Sequence, residues 1–320
     1  MEGSAEQGLI QRHFAPLARS PGALGLRDDA ALLTPPPGHE IVLTADAVIA
    51  GVHFFPDDAP KDIARKALRV NLSDLAAKGA DPLGALLVLS LPDEIGDDWL
   101  AAFAAGLDAD LETYGIALLG GDTVRAPVLS VSITALGSVP TGAMVRRNGA
   151  RPGDAIVVTG TIGDAALGLR CRTGELPGDE ALIDRYLRPR PRTSLAANLR
   201  QYANAAMDVS DGLAGDLDAL LGASGQSAAI SVYDVPLSDA ARAMLDSAPD
   251  LLATILTGGD DYEILACVPP GSLPSLATAA SALGIPLTRI GTVEEGTGPA
   301  RFVRTDGSEL RLASRAYSHL

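Results

Sequence analysis

Short apolar runs recur along the chain, and their period switches between that of strands and that of helices. Leu129, Val131, Ile133 and Ala135 alternate with Ser130, Ser132 and Thr134, which predicts a half-buried strand. Residues 41–44 and 85–91 are nearly continuous apolar runs and predict buried strands. Two helices are expected between them. One covers 61–78, after Pro60 and before Gly79. The other covers 97–114, opens with acidic residues, stops at Gly115, and repeats Trp99, Phe103, Leu107, Leu111 and Tyr114 at helical spacing. The pattern then breaks at 138–153, where Pro140, Gly142, Gly149, Pro152 and Gly153 interleave with Arg146, Arg147 and Arg151. This reads as a connection between domains. Beyond it, strands are expected at 155–158, 205–207, 228–232, 262–268 and 287–290, with helices following Gly163, Gly212 and Leu237. The expected organisation is an N-terminal α/β domain over 1–138, a connecting segment over 139–153, and a C-terminal α/β domain over 154–320. The end of the chain, Tyr317-Ser318-His319-Leu320, is polar and expected at the surface.

A length of 320 residues suits two such domains. Hydrophobic residues are 47% and aromatics only 4%, so the cores must be built mainly from Ala, Val, Leu and Ile. A formal net charge of −15 argues against nucleic acid or an anionic membrane as partner, since both need clustered Lys and Arg. The run 85–91 is too short to span a bilayer, and residues 1–6 are acidic with no apolar signal core. A soluble cytoplasmic protein is expected. Cys171 and Cys267 lie far apart among apolar residues and read as two buried free thiols.

Aspartate supplies the candidate chemistry. It recurs as Asp28 and Asp29, Asp46, Asp74, Asp122 after Gly120 and Gly121, Asp208 and Asp211 before Gly212, and Asp260 and Asp261 after Gly258 and Gly259. Each is expected at or near the end of a strand or helix. Taken singly, each has an ordinary reading. Asp28 and Asp29 suit a turn, Ser210 and Asp211 suit a helix cap, and Asp74 could pair with Lys78 on the same helix. Asn71 shares that helix face with Asp74. Taken together, the carboxylates repel one another unless a cation neutralises them. Hard oxygen donors of this kind suit Mg²⁺, which keeps waters and substrate phosphates in its shell. A metal-loaded polyphosphate is the expected ligand.

Other architectures are excluded. No Gly-Lys-Ser/Thr occurs, so there is no Walker A loop, and no kinase-type Gly-rich loop precedes a strand lysine. GxSxG, HExxH and CxxC are absent, and His13, His39, His53 and His319 are scattered. Residues 159–164 lead from a strand into a helix. They read as a structural turn, with phosphate binding at the helix start as the alternative. Arg185, Arg188, Arg190 and Arg192, spaced by Pro189 and Pro191, read as a packing segment, with anion binding as the alternative.

Residues 64–82 (ARKALRVNLSDLAAKGADP), 44–54 (TADAVIAGVHF), 120–123 (GGDT), 207–213 (MDVSDGL) and 258–265 (GGDDYEIL) resemble the thiamine-monophosphate kinase family, and the similarity runs from about residue 8 to Tyr317. The resemblance implies the fold of the aminoimidazole ribonucleotide synthetase-like superfamily, with N-terminal domains paired across a homodimer. It implies metal ligands at Asp29, Thr44, Asp46, Asp74, Asp122, Asp208 and Asp211 for several Mg²⁺ ions. It implies ATP contacts at Tyr114, Gly121, Asp122, Arg147 and Ser210, and thiamine phosphate contacts at His53, Asp260 and Tyr317. The chain departs from the family pattern at Arg27, usually Gly; at Ala45, usually a hydroxyl residue; and at Asp260, usually Glu. Any ligand from position 45 is therefore a backbone carbonyl. The implied reaction passes the γ-phosphoryl of ATP directly to thiamine phosphate. A phosphate monoester has its second pKa near ~6, so this acceptor needs no general base. The rival from another class is a nucleotide- or Mg²⁺-binding module without turnover. Among relatives, a selenide-activating dikinase would be expected to carry a reactive Cys and Lys before Lys61, and neither is present.

Overall fold

The serine-interleaved run forms one strand of a four-stranded sheet, with Val131, Ile133 and Ala135 buried as their spacing requires. The computed structural model describes residues 5–317. By contacts the chain divides into two units. The first takes the chain up to Leu75 together with Ala80–Gly142, and the second takes Ala76–Gly79 and everything from Ala143 onward.

The first unit contains α1 (Ala5–His13), β1 (His39–Ile49), α2 (Pro60–Ala77, all but its last residues), β2 (Asp81–Leu91), α3 (Asp97–Tyr114), β3 (Ala117–Arg125) and β4 (Ser130–Pro140). The sheet order is β1-β4-β2-β3, antiparallel except for the β2–β3 pair, which α3 connects. One sheet face is apolar and buried through Val42, Val48, Val131, Ile133, Leu87 and Leu89. The helices add Ile63, Leu68, Leu72 and Leu75 from α2 and Phe103, Leu107 and Leu111 from α3. Burial of each such side chain is worth about 1.5–3 kcal/mol. Trp99 stacks on Phe103 at 5.2 Å, one helical turn apart, as the spacing in α3 predicts.

β1 runs further than the expected 41–44, to Ile49, and β3 runs through Asp122 to Arg125. Asp46 and Asp122 therefore sit inside strands rather than at strand ends. Pairing with β4 and β2 outweighs the local turn signal. Both are outer strands of the sheet, where a polar residue keeps access to water. Gly121 is required by the neighbouring strand, because a Cβ there would lie 1.7 Å from the Leu87 carbonyl oxygen.

The second unit contains β5 (Ala155–Thr159), α4 (Asp164–Arg172), α5 (Glu180–Leu187), α6 (Ala196–Tyr202), β6 (Ala205–Asp208), α7 (Leu213–Ser224), β7 (Gln226–Ser231), α8 (Asp239–Ser247), α9 (Leu251–Thr257), β8 (Ile264–Val268), α10 (Leu273–Ala282), β9 (Leu287–Glu295), β10 (Arg301–Val303) and β11 (Glu309–Leu310). Its sheet runs β11-β10-β7-β9-β5-β8-β6. Both faces of the sheet's β5-β8-β6 side are covered, which is why these strands read as continuous apolar runs. Ile156, Val158, Met207 and Leu265 join one core, and Val157, Ala206, Ile264 and Ala266 join the other. Ala76 and Ala77 belong to that second core, and beside them Lys78 Nζ donates to the Ala206 carbonyl at 2.8 Å. Helices α5, α6, α9 and α10 were not legible, being short and bounded by proline or small residues.

Cys171 and Cys267 are buried and free, and burial pushes the Cys267 thiol up to about 12. Among the described residues no helix is long and apolar enough to cross a membrane. Ser318, His319 and Leu320 lie outside the described residues, so the surface expectation for the tail is met only by the exposed Tyr317.

Candidate active site

In the first unit the residues expected at the site form two groups. Thr44 and Asp46 project from the same face of β1, towards α2. Thr44 Oγ1 donates to Asp74 Oδ2 at 2.5 Å, and the Asp46 amide donates to Asn71 Oδ1 at 3.1 Å. Asn71 Nδ2 in turn donates to the Ala67 carbonyl at 2.9 Å. Asn71 thus seats the strand on the helix and leaves the Asp46 carboxylate exposed. His53 follows β1, and its Nδ1 accepts from the Ile49 amide at 3.2 Å. That bond assigns the proton of the neutral ring to Nε2. Lys66, 2% exposed, donates to the His53 carbonyl at 2.9 Å, and Asp58 Oδ2 accepts from the Phe55 amide at 2.9 Å. The His53 segment is therefore fixed from both sides. Lys66 was not singled out in the sequence, since only burial distinguishes it from a surface lysine.

The second group lies on β3. Asp122 is exposed, and its Oδ1 accepts from the Thr123 amide at 2.8 Å. The segment Pro21–Leu26 packs beside β3 and leads to Asp28 and Asp29, where the Asp29 amide donates to Asp28 Oδ1 at 2.8 Å. The backbone bends at residues 28–30. β1 and β3 are the two edges of the sheet, so three strand spacings, about 14 Å, separate the groups. They also differ in face: Asp46 registers with buried Ile133, Asp122 with exposed Val88. Among the described residues no three His, Cys, Asp or Glu side chains form a preformed metal cage, for this reason. Tyr114 ends α3 with the Arg69 guanidinium 5.8 Å above its ring, and Arg69 is held by Asp110 through bonds of 2.6 and 2.8 Å.

The second unit brings together the residues expected at the site. Asp208 ends β6 and is 4% exposed. The segment after it is stitched to residues 260–263. The Asp260 amide donates to the Ser210 carbonyl, the Tyr262 amide to the Val209 carbonyl, and the Val209 amide to the Glu263 carbonyl, each at 2.8 Å. The Tyr317 amide donates to the Asp211 carbonyl at 2.9 Å. Asp208, Ser210, Asp211, Asp260 and Tyr317 thus share one end of the sheet. Asp216 Oδ2 accepts from the Asp211 and Gly212 amides at 2.9 and 3.1 Å, tying the start of α7. Burial pushes its carboxyl up to about 7 against the lowering by those amides. Arg147 lies at residues 147–149, with an exposed side chain and a carbonyl that accepts from Ser224 Oγ at 2.9 Å.

The segments at 159–164 and 185–192 resolve into structure. The Gly163 and Ala165 amides at the start of α4 are taken by the buried Asp261 carboxyl at 2.7 and 3.3 Å, so that helix end does not receive a phosphate. Burial pushes Asp261 up to about 8. Arg188 and Arg190 pair with Asp184, while Arg185 and Arg192 converge on Glu263.

The donors available to a cation are all hard oxygens, from Thr44, Asp46 and Asp74 at one edge, Asp29 and Asp122 at the other, and Asp208 and Asp211 in the second unit. Such a set fits Mg²⁺, which is held by one or two carboxylates per ion with the remainder from water and phosphate.

The sequence matches the families described as AIR synthase related protein, N-terminal domain, over residues 27–139, and AIR synthase related protein, C-terminal domain, over residues 151–304. A thiamine-monophosphate kinase of Salmonella typhimurium is 42% identical over 98% of this chain and 98% of its own length. The chain belongs to the thiamine-monophosphate kinase family. A crystal structure of thiamine-monophosphate kinase from Stenotrophomonas maltophilia superposes with a TM-score of 0.83 at 42% identity, covering 92% of this chain and 94% of that one. AaThiL complexed with AMPPCP and TMP superposes with a TM-score of 0.78 at 31% identity, over 92% of this chain and 91% of that one. The two-domain fold implied by the sequence resemblance to the thiamine-monophosphate kinase family is therefore the fold of this chain.

Proposed function

We propose that the protein transfers the γ-phosphoryl group of ATP to thiamine phosphate, yielding thiamine diphosphate and ADP, in a Mg²⁺-dependent direct displacement. The observation that carries this reading is the similarity, across nine-tenths of the chain, to AaThiL complexed with AMPPCP and TMP. An oxygen of the acceptor phosphate forms the new bond to the γ-phosphorus as the bond to the β-phosphate oxygen breaks and ADP leaves. The acceptor is already largely dianionic at neutral pH, so no side chain must remove a proton. When bound by Asp29, Thr44, Asp46, Asp74, Asp122, Asp208 and Asp211, Mg²⁺ would offset the repulsion between the two anions. ATP is assigned to Tyr114, Gly121, Asp122, Arg147 and Ser210, with the Tyr114 ring backed by the Arg69 guanidinium. His53, Asp260 and Tyr317 are assigned to thiamine phosphate. His53, with its proton on Nε2, is a hydrogen-bond donor to the acceptor.

That role gives a measurable split. His53→Asn should raise KM for thiamine phosphate more than it lowers kcat, with KM for ATP little changed. A general base would instead show a collapse of kcat at constant KM, with rescue at high pH, and that pattern would overturn the mechanism. A panel of phosphorylated acceptors with Mg-ATP tests the substrate: ADP release that does not depend on thiamine phosphate would point to the non-catalytic rival.

We also infer a homodimer through the open face of the first unit's sheet. Leu43 is 64% exposed there, beside Leu86, Val88 and Val124, an apolar surface that a second copy would cover. Pairing would also set one copy's β3 edge against the other's β1 edge, so that Asp122 on the paired face of one copy would meet Asp46 of the other only around the rim of the β1 edge strand. Asp46→Asn and Asp122→Asn should each be inactive alone. Mixed by refolding, they should recover about one quarter of wild-type activity, because half the sites of half the dimers are intact. No recovery would place both residues in a single chain's site. Both thiols are free, which suits the reducing cytoplasm we assign.

A further inference from the structure

Asp260 and Tyr262 are non-glycine residues in the left-handed region, with φ of 72° and 51°. Such backbone is costly and persists only where the surroundings over-determine it. The surroundings here are an ionic cluster. Glu263 is fully buried, and its carboxylate accepts four bonds: Oε1 from Arg185 Nη2 at 2.8 Å and Arg192 Nη2 at 2.5 Å, Oε2 from Arg192 Nε at 2.7 Å and Thr159 Oγ1 at 2.7 Å. Those four fill a carboxylate's capacity, so Glu263 is not a metal ligand. Arg185 Nη2 also donates to the Asp261 carbonyl at 3.2 Å, bridging Asp261 and Glu263 across Tyr262. Among the described residues its Nε and Nη1 have no hydrogen-bond partner, Nε lying 4.0 Å from Asp164 Oδ2, so the hydrogen bonds of this buried guanidinium go to this one segment. Gly160, at φ 57°, makes room for the cluster, since a Cβ there would lie 2.1 Å from Glu263 Oε1. Thr159 Oγ1 also accepts from the Ile264 amide at 2.8 Å, fixing the segment to the end of β5.

We propose that Glu263, clamped by Arg185 and Arg192, is the positioning residue that holds Asp260 and Tyr262 in their left-handed backbone and so aims Asp260 at the amine-bearing pyrimidine of thiamine phosphate. This rests on the reading of Asp260 as an acceptor contact. The cluster restores to the site two segments, 159–164 and 185–192, that the metal and nucleotide do not use. A buried charge pair without such a task is weak evidence for stability, because removal of water offsets its attraction.

A double-mutant cycle tests the proposal, with steady-state constants measured for both substrates. Arg192→Met, at the most exposed member of the cluster, is expected to raise KM for thiamine phosphate about tenfold while KM for ATP stays within about twofold. Asp260→Ala is expected to raise the same KM. In the Asp260→Ala background, Arg192→Met should add little, because the group it aims is gone. If Asp260→Ala raises KM and the two effects multiply independently, or Arg192→Met leaves KM for thiamine phosphate unchanged, the positioning role is wrong and the Asp260 reading survives. If Asp260→Ala leaves that KM unchanged, the Asp260 reading fails and this inference fails with it. Should Arg192→Met not fold, Arg192→Lys, which keeps the charge and loses the paired bonds, runs the same cycle.

Discussion

Excess EDTA should bring turnover to background, and Mg²⁺ or Mn²⁺ should restore it. This outcome follows from where the cations of the chain go. A phosphoryl-transfer site must offset the charge of a triphosphate and a monoester, and P-loop enzymes do so partly with a lysine. Here no such loop exists. Lys66 and Lys78 donate to main-chain carbonyls of His53 and Ala206. Arg185 and Arg192 are held by Glu263, and Arg69 by Asp110. Among the residues assigned to the site, seven carboxylates stand against one permanent cation, Arg147, on a chain of net charge −15. The measurement is coupled ADP release with metal-free protein, followed by metal titration. Full turnover in the presence of chelator would remove the metal from the mechanism.

Asp208→Asn should cost about a thousandfold in kcat/KM while the fold survives. Asp208 closes β6, opposite Ile264, and is 4% exposed. The substitution keeps its size and its backbone pairing and removes only the charge. Asp122→Asn should behave alike from the edge of the other sheet, where the side chain is exposed and its only described bond is to the adjacent Thr123 amide. Circular dichroism and a melting curve would separate loss of ligand from loss of fold. Near-normal turnover in either variant would reduce that aspartate to a structural role.

The sequence carried the elements with the strongest local signals. Alternation at 129–135 named β4 and its buried face, and the helical spacing from Trp99 to Tyr114 named α3 with its ends. The motif around Asn71 and Asp74 was placed on a helix, and it is on one. Glu263 escaped notice for the opposite reason. It heads an apolar strand, but its arginines come from 71 and 78 residues away in sequence, and no local pattern reports such a pair. Arg185 and Arg192 were accordingly read as packing residues, when each is bonded to the core of its own unit.

Composition, hydrophobic period and motif order are properties of neighbouring residues, and they determined the α/β class and the family. Distances between residues remote in the chain are set by sheet order and register. Only the tertiary structure decided that Asp46 and Asp122 lie inside outer strands at opposite edges of one sheet, and that the Ile49 amide leaves the His53 proton on Nε2. It alone decided that Asp261 occupies the helix start a phosphate could have taken. Strand pairing and burial act at long range, so they can override a turn signal or claim an arginine without leaving a local trace.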